Sequence, residues 1–116
     1  MNNLNTLFLF GLIIVLLDIP FITYVLGPKY HALNMALNPK IIYALCAYII
    51  MISSWFLIEG DVYKAFLVGF GVYGTYAFTL AAILPGYSLS FAMTEILWGT
   101  FLFIIATIIT NKIKLV

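Results

Sequence analysis

Residues Ala65–Leu84 read AFLVGFGVYGTYAFTLAAIL, twenty residues without a charge. As a helix rising about 1.5 Å per residue, that is long enough to cross a hydrocarbon core of about 30 Å. The stretch also carries Gly69, Gly71 and Gly74, several alanines, and hydroxyls at Thr75, Tyr76 and Thr79. Small residues let a second helix approach closely in lipid, and hydroxyls there need partners. This reads as a transmembrane helix with close neighbours and a polar contact inside the membrane.

Working outward, the composition agrees. Of 116 residues, 66% are hydrophobic and 8% charged, against roughly 25% charged in soluble domains. A soluble body this small has too much exterior for its volume to hide so much apolar surface. Lipid has to be the solvent for most of the chain. Net charge is +1, from five lysines and four acids, and there is no arginine. No basic tract is present, so nucleic acid is excluded as a partner. Bidentate recognition of phosphate or carboxylate lacks its usual residue. The single cysteine, Cys46, lies in a hydrophobic run and reads as a small apolar residue that cannot form an intrachain disulfide. Leu7–Leu17 lacks the positive flank and the cleavage site of a signal peptide, so it reads as retained.

Hydropathy predicts four spans in a single transmembrane domain covering 1–116: about Leu4–Val25, Ile41–Ile58, Val62–Leu84 and Ser88–Thr110. Asn38-Pro39 caps the second, Gly60-Asp61 the third, and Pro85-Gly86 breaks the chain before Ser88 or Ser90 caps the fourth. The last two connections are too short for anything but antiparallel neighbours. The fold expected is all-α, an up-and-down bundle of four transmembrane helices, with a short interfacial helix over Pro28–Leu37 between the first and second. Trp55, Phe56 and Tyr63 are expected to mark one membrane surface, side A, which also holds both termini. Tyr24, Tyr30, Tyr43 and Tyr87 are expected to mark the other, side B. Three lysines on side A (Lys64, Lys112, Lys114) against two on side B (Lys29, Lys40) favour cytoplasmic termini.

Gly69–Gly74 matches the spacing of a dinucleotide-binding loop. That loop works only between a strand and a helix, and here it falls inside one apolar span. Close packing is the physical use of Gly69, Gly71, Gly74, Thr75 and Gly99. Gly71, Thr75 and Thr79 form one small-residue stripe and Gly74, Ala77 and Ala81 a second, which predicts that the third span is central.

The acids are a sharper signal. Asp18 and Glu95 each lie about seven residues inside the side B end of their spans, roughly 10 Å below that surface. Tyr48 and Thr79 fall in the same layer and Tyr76 slightly deeper. A charge near the bilayer centre costs at least ~2.5–3.5 kcal/mol, so such residues face the bundle interior and mark function. Pro20 lacks an N–H, which leaves the Leu16 carbonyl without its helical donor beside Asp18. Trp98, near the midplane one turn from Glu95, needs a partner for its indole N–H. No nucleophile–base constellation is visible, His31 alone is no metal site, and no cofactor is implied.

Asp18-x-x-Phe21, Pro28-Lys29-Tyr30, Ala47-Tyr48, Gly74-Thr75-Tyr76-Ala77-Phe78-Thr79 and Glu95-x-x-Trp98-Gly99 resemble, in order, the motifs of a family of small membrane proteins of unknown function with members in bacteria and large DNA viruses. The resemblance implies four transmembrane helices and no assigned activity. That family's pattern has an acid and an amide where this chain has Ala77 and Leu80, tryptophan for Phe21 and aspartate for Glu95. The polar cluster is thinner here.

Two readings of function stay open. One is movement of a small solute or ion past Asp18, Glu95, Tyr48, Tyr76, Thr79 and Trp98, with self-association expected because four helices are few for a transporter. The other is a structural or accessory subunit whose acids fix helix packing. A lipid-modifying enzyme using the acids with His31 is the weakest.

Overall fold

The computed structural model describes residues 3–28 and 41–114. Helix α1 spans Asn3–Phe21 and runs into a π-helical turn at Ile22–Leu26. Helix α2 spans Ile41–Ser53, a one-turn α3 spans Trp55–Ile58, α4 spans Val62–Ile83 and α5 spans Leu89–Lys114. Together α2 and α3 make one apolar span, so four helical stretches are long and apolar enough to cross a membrane: Leu4–Leu26, Ile41–Ile58, Val62–Ile83 and Leu89–Ile113. No strand occurs among the described residues. The fold is an all-α bundle, and it fits an integral, multi-pass membrane protein. Beyond Pro28, the interfacial helix expected over Pro28–Leu37 lies outside the described residues, as do Lys29, Tyr30, His31, the expected Asn38-Pro39 cap and Lys40.

Local chemistry sets the boundaries. Asp61 accepts from the backbone N–H groups of Tyr63 and Lys64, capping α4. Of the two serines that could cap α5, Ser88 does so, its Oγ accepting from Phe91 N–H at 3.1 Å. Glu59 and Gly60 end α3 with φ of 53° and 75°, the left-handed conformation that lets the chain reverse within three residues. Asn111 Nδ2 donates to the Gly60 carbonyl at 2.8 Å and ties that turn to α5. Pro20 sits inside α1 and the π turn begins two residues later. A residue without an N–H loosens the helical ladder, and the wider turn follows it.

The central helix is α5, which corrects the expectation that the third span is central. It packs along the length of α4 and also against α1, while α2 leans chiefly on α1. Of its apolar stretch 44% is buried, against 11% for α4. The reason lies in which glycines meet a neighbour. A β-carbon on Gly69 would stand 2.9 Å from the Gly99 carbonyl oxygen and 3.1 Å from Thr100 Cα, so α4 and α5 touch backbone to backbone there. Gly99 lies beneath the Tyr73 ring, where a β-carbon would come within 1.9 Å of it. Gly71 and Gly74 have nothing within 4 Å of that position, and Thr75 and Thr79 are exposed. Among the described residues these four bring no helix closer; the contact stripe is Gly69, Tyr73 and Ala77.

Two apolar clusters result. Phe10, Ile14, Trp55, Ile58, Ala65, Leu102 and Phe103 form the larger, toward side A, and Ala77, Tyr87, Phe91, Ala92 and Ile96 the smaller, toward side B. Trp55, expected in the side A belt, is 4% exposed and packs on Phe10 at 4.9 Å between ring centres. The break at Ser54 turns it inward.

Gly99→Ala should lower stability by about 1–3 kcal/mol through overpacking against Tyr73. Gly71→Ala should be neutral or stabilise by up to about 1 kcal/mol, because alanine favours the helix and has open space there. Unfolding of both variants in mixed micelles, followed by circular dichroism, checks the contrast.

Candidate functional site

Four helices bring polar and aromatic side chains to one layer between the two apolar clusters. Helical spacing explains how each contributes. On α1, Asp18 shares a face with Phe21 and, in the π turn, Ile22. On α2, Tyr48 lies between Ala44 and Met51 at the same kind of spacing. On α4, Val72, Tyr73 and Tyr76 face inward, and on α5 Glu95 and Trp98 lie one turn apart. These residues, with Leu26, Ala47 and Ile50, line a cavity of about 480 Å3. Its opposing walls are α2 and α4, and α1 and α5 join them behind.

Both acids are inside. Asp18 is 5% exposed and Glu95 1% exposed. Asp18 takes a donor on each oxygen: Tyr48 OH donates to Oδ2 at 2.7 Å, and Trp98 Nε1 donates to Oδ1 at 2.9 Å. A single carboxylate thus ties α1 to α2 and α5. Trp98 also stacks face to face on Phe21, with ring centres 4.5 Å apart and planes 9° apart. Glu95 accepts from Tyr87 OH through Oε2. Helical side chains lean toward the N-terminus, so Glu95 reaches back while Tyr87 lies along Phe91, stacked at 4.4 Å. Burial, then the hydrogen bond to Glu95, pushes the Tyr87 phenol up from its ordinary range. It remains a donor at physiological pH.

The structure places Asp18, Glu95, Tyr48, Tyr76 and Trp98 around the same cavity. Thr79 does not line it and is exposed. Three wall or support residues escape a reading of the residues one at a time. Tyr87 looks like a belt tyrosine after Pro85-Gly86, yet it is 4% exposed and holds Glu95. Tyr73 is covered by no polar motif, although its position four residues after Gly69 marks the contact face. Phe21 enters the sequence reading only through a family pattern. Among the described residues, no group of three or more His, Cys, Asp and Glu side chains could hold a metal ion.

Every donor to these carboxylates among Tyr48, Trp98 and Tyr87 is neutral, and among the described residues no side chain lining the cavity is cationic. The arrangement can hold a proton or a positively charged group beside either acid, against aromatic walls. Compared with family models, with curated proteins and with solved structures, the chain has no match.

Tyr87→Phe and Trp98→Phe each remove one donor from a buried carboxylate and should cost about 1–3 kcal/mol of stability. Tyr63→Phe, at an exposed ring, should change nothing beyond error. Detergent-titrated unfolding of the three variants makes the comparison.

Proposed function

We propose that this multi-pass membrane protein moves a small solute or ion through the cavity between α2 and α4, with Asp18 and Glu95 as its charged groups. The observation that carries this reading is a cavity of about 480 Å3 bearing two buried carboxylates and, among the described residues, no lining cation. Buried acids in a bilayer are costly and recur along substrate and proton pathways. A binding cavity of this volume falls within the roughly 300–1,000 Å3 of small-molecule sites. When the solute leaves, a proton on either carboxylate relieves the buried charge, which couples the two movements. The titratable groups around this exchange are Tyr48 from α2, Tyr73 and Tyr76 from α4, and Tyr87 beside Glu95 on the α5 side. Self-association and cytoplasmic termini, the orientation favoured by the lysine distribution, belong to the same proposal.

A second reading has its own support. Asp18 joins three helices through two hydrogen bonds, as a clamp would. In that case the protein is a structural or accessory subunit and the acids fix its packing.

Proteoliposomes with a trapped pH dye, challenged with a panel of organic and inorganic solutes under an imposed proton gradient, separate the two. Under the transport reading, Asp18→Asn and Glu95→Gln each lower solute-dependent proton flux at least about tenfold. Undiminished specific flux in both variants, with reduced thermal stability, supports the clamp and overturns the carboxylate role.

A further inference from the structure

We propose that the cavity binds a lipophilic organic cation, an ammonium centre carried on an apolar or aromatic body. This rests on the reading of the cavity as a solute site and specifies the chemical class of that solute.

Charge comes first. Asp18 and Glu95 are both at least nine-tenths buried and both line the cavity, and no described cationic side chain lines it with them. An anionic guest would be repelled, and a neutral apolar one would leave two carboxylates further desolvated. A positive guest offsets both.

The walls then separate an organic cation from an inorganic one. Calcium needs about six to eight oxygen ligands and magnesium a near-octahedral set. This lining is mostly apolar, and Asp18 already accepts from Tyr48 and Trp98 on its two oxygens. What the walls offer in quantity is aromatic surface: Phe21 and Trp98 stacked on one side, with Tyr48, Tyr73 and Tyr76 around them. The negative faces of such rings attract weakly hydrated ammonium groups, and the attraction strengthens where water is excluded. Met51, Val72, Ile22 and Leu26 supply apolar surface for the rest of the guest. Carboxylates bind the charge, rings bind its methyl or methylene shell, and aliphatic side chains bind the body.

Equilibrium dialysis of the full chain in neutral maltoside micelles, with radiolabelled benzyltrimethylammonium as the probe, tests this directly. The expected result is saturable binding of one probe per chain. Neopentylbenzene, the same shape without the charge, and sodium chloride should each compete at least about tenfold more weakly than unlabelled probe. Asp18→Asn and Glu95→Gln should each weaken binding at least about tenfold. The competition uses the unaltered chain, so it stands even if a variant fails to fold. Absence of saturable binding overturns the proposal. Equal competition by neopentylbenzene overturns it in favour of a purely apolar cavity, and equal competition by sodium in favour of an inorganic cation. Binding at equilibrium needs no transport. Probe binding without flux in proteoliposomes would remove the transport reading and leave the cation site. Carboxylate-dependent flux of other solutes without probe binding would do the reverse.

Discussion

A carboxylate in lipid has no water to turn to, and the arrangement of this bundle follows from how Asp18 meets that constraint. It draws Tyr48 from α2 and Trp98 from α5 to its two oxygens. The consequence is largest for α2. None of the residues in Ile41–Ser53 is buried, so apolar packing alone gives this helix little purchase. Its anchors are the contact of Ile52 with Gly11 on α1, the neighbouring one-turn helix carrying Trp55 and Ile58 into the core, and the Tyr48 bond. Hydrogen bonds to charged groups are worth about 1.5–3 kcal/mol. On a helix so lightly held, that is a substantial share.

The opposite wall is built by different means. Where Gly69 meets Gly99 and Thr100, two backbones touch and α4 and α5 run together as a seam. The close approach lays Tyr73 across Gly99, and Tyr76, one turn further, lines the cavity. One side of the cavity therefore rests on van der Waals contact and the other on hydrogen bonds to an acid. Between them α2 and α4 stand apart, and the space remains open.

Several local features are legible in the amino-acid sequence. The Asp61 cap, the break at Pro85-Gly86 and the serine cap on α5 are written in turn and cap chemistry. That Asp18, Tyr48 and Glu95 come to a common level follows from counting residues along helices of known rise. The packing stripe is not legible, and the reason is specific. Gly71, Thr75 and Thr79 have the same i, i+4, i+8 spacing as Gly69, Tyr73 and Ala77, and smallness favours the first set. The second set is the one that packs, because a large ring over Gly99 fills what a small residue would leave empty. Trp55 and Tyr87 mislead for a related reason. An aromatic near a helix end looks the same from sequence whether it faces headgroups or folds under a turn into the core.

From its sequence alone, this protein is determined to be an all-α chain with four apolar spans that carry polar residues at a shared level. Those properties depend on hydrophobic length and rise per residue, both local. Only the tertiary structure decided which way each helix is turned about its axis, and with it that α5 is central, that Asp18 is bonded by Tyr48 and Trp98, and that Tyr87 holds Glu95. Helix rotation is set by the neighbours a face meets, and no single segment carries that information. The glycines of Ala65–Leu84 divide on that line: any of the three could have packed, and the neighbour at Gly99 selected Gly69.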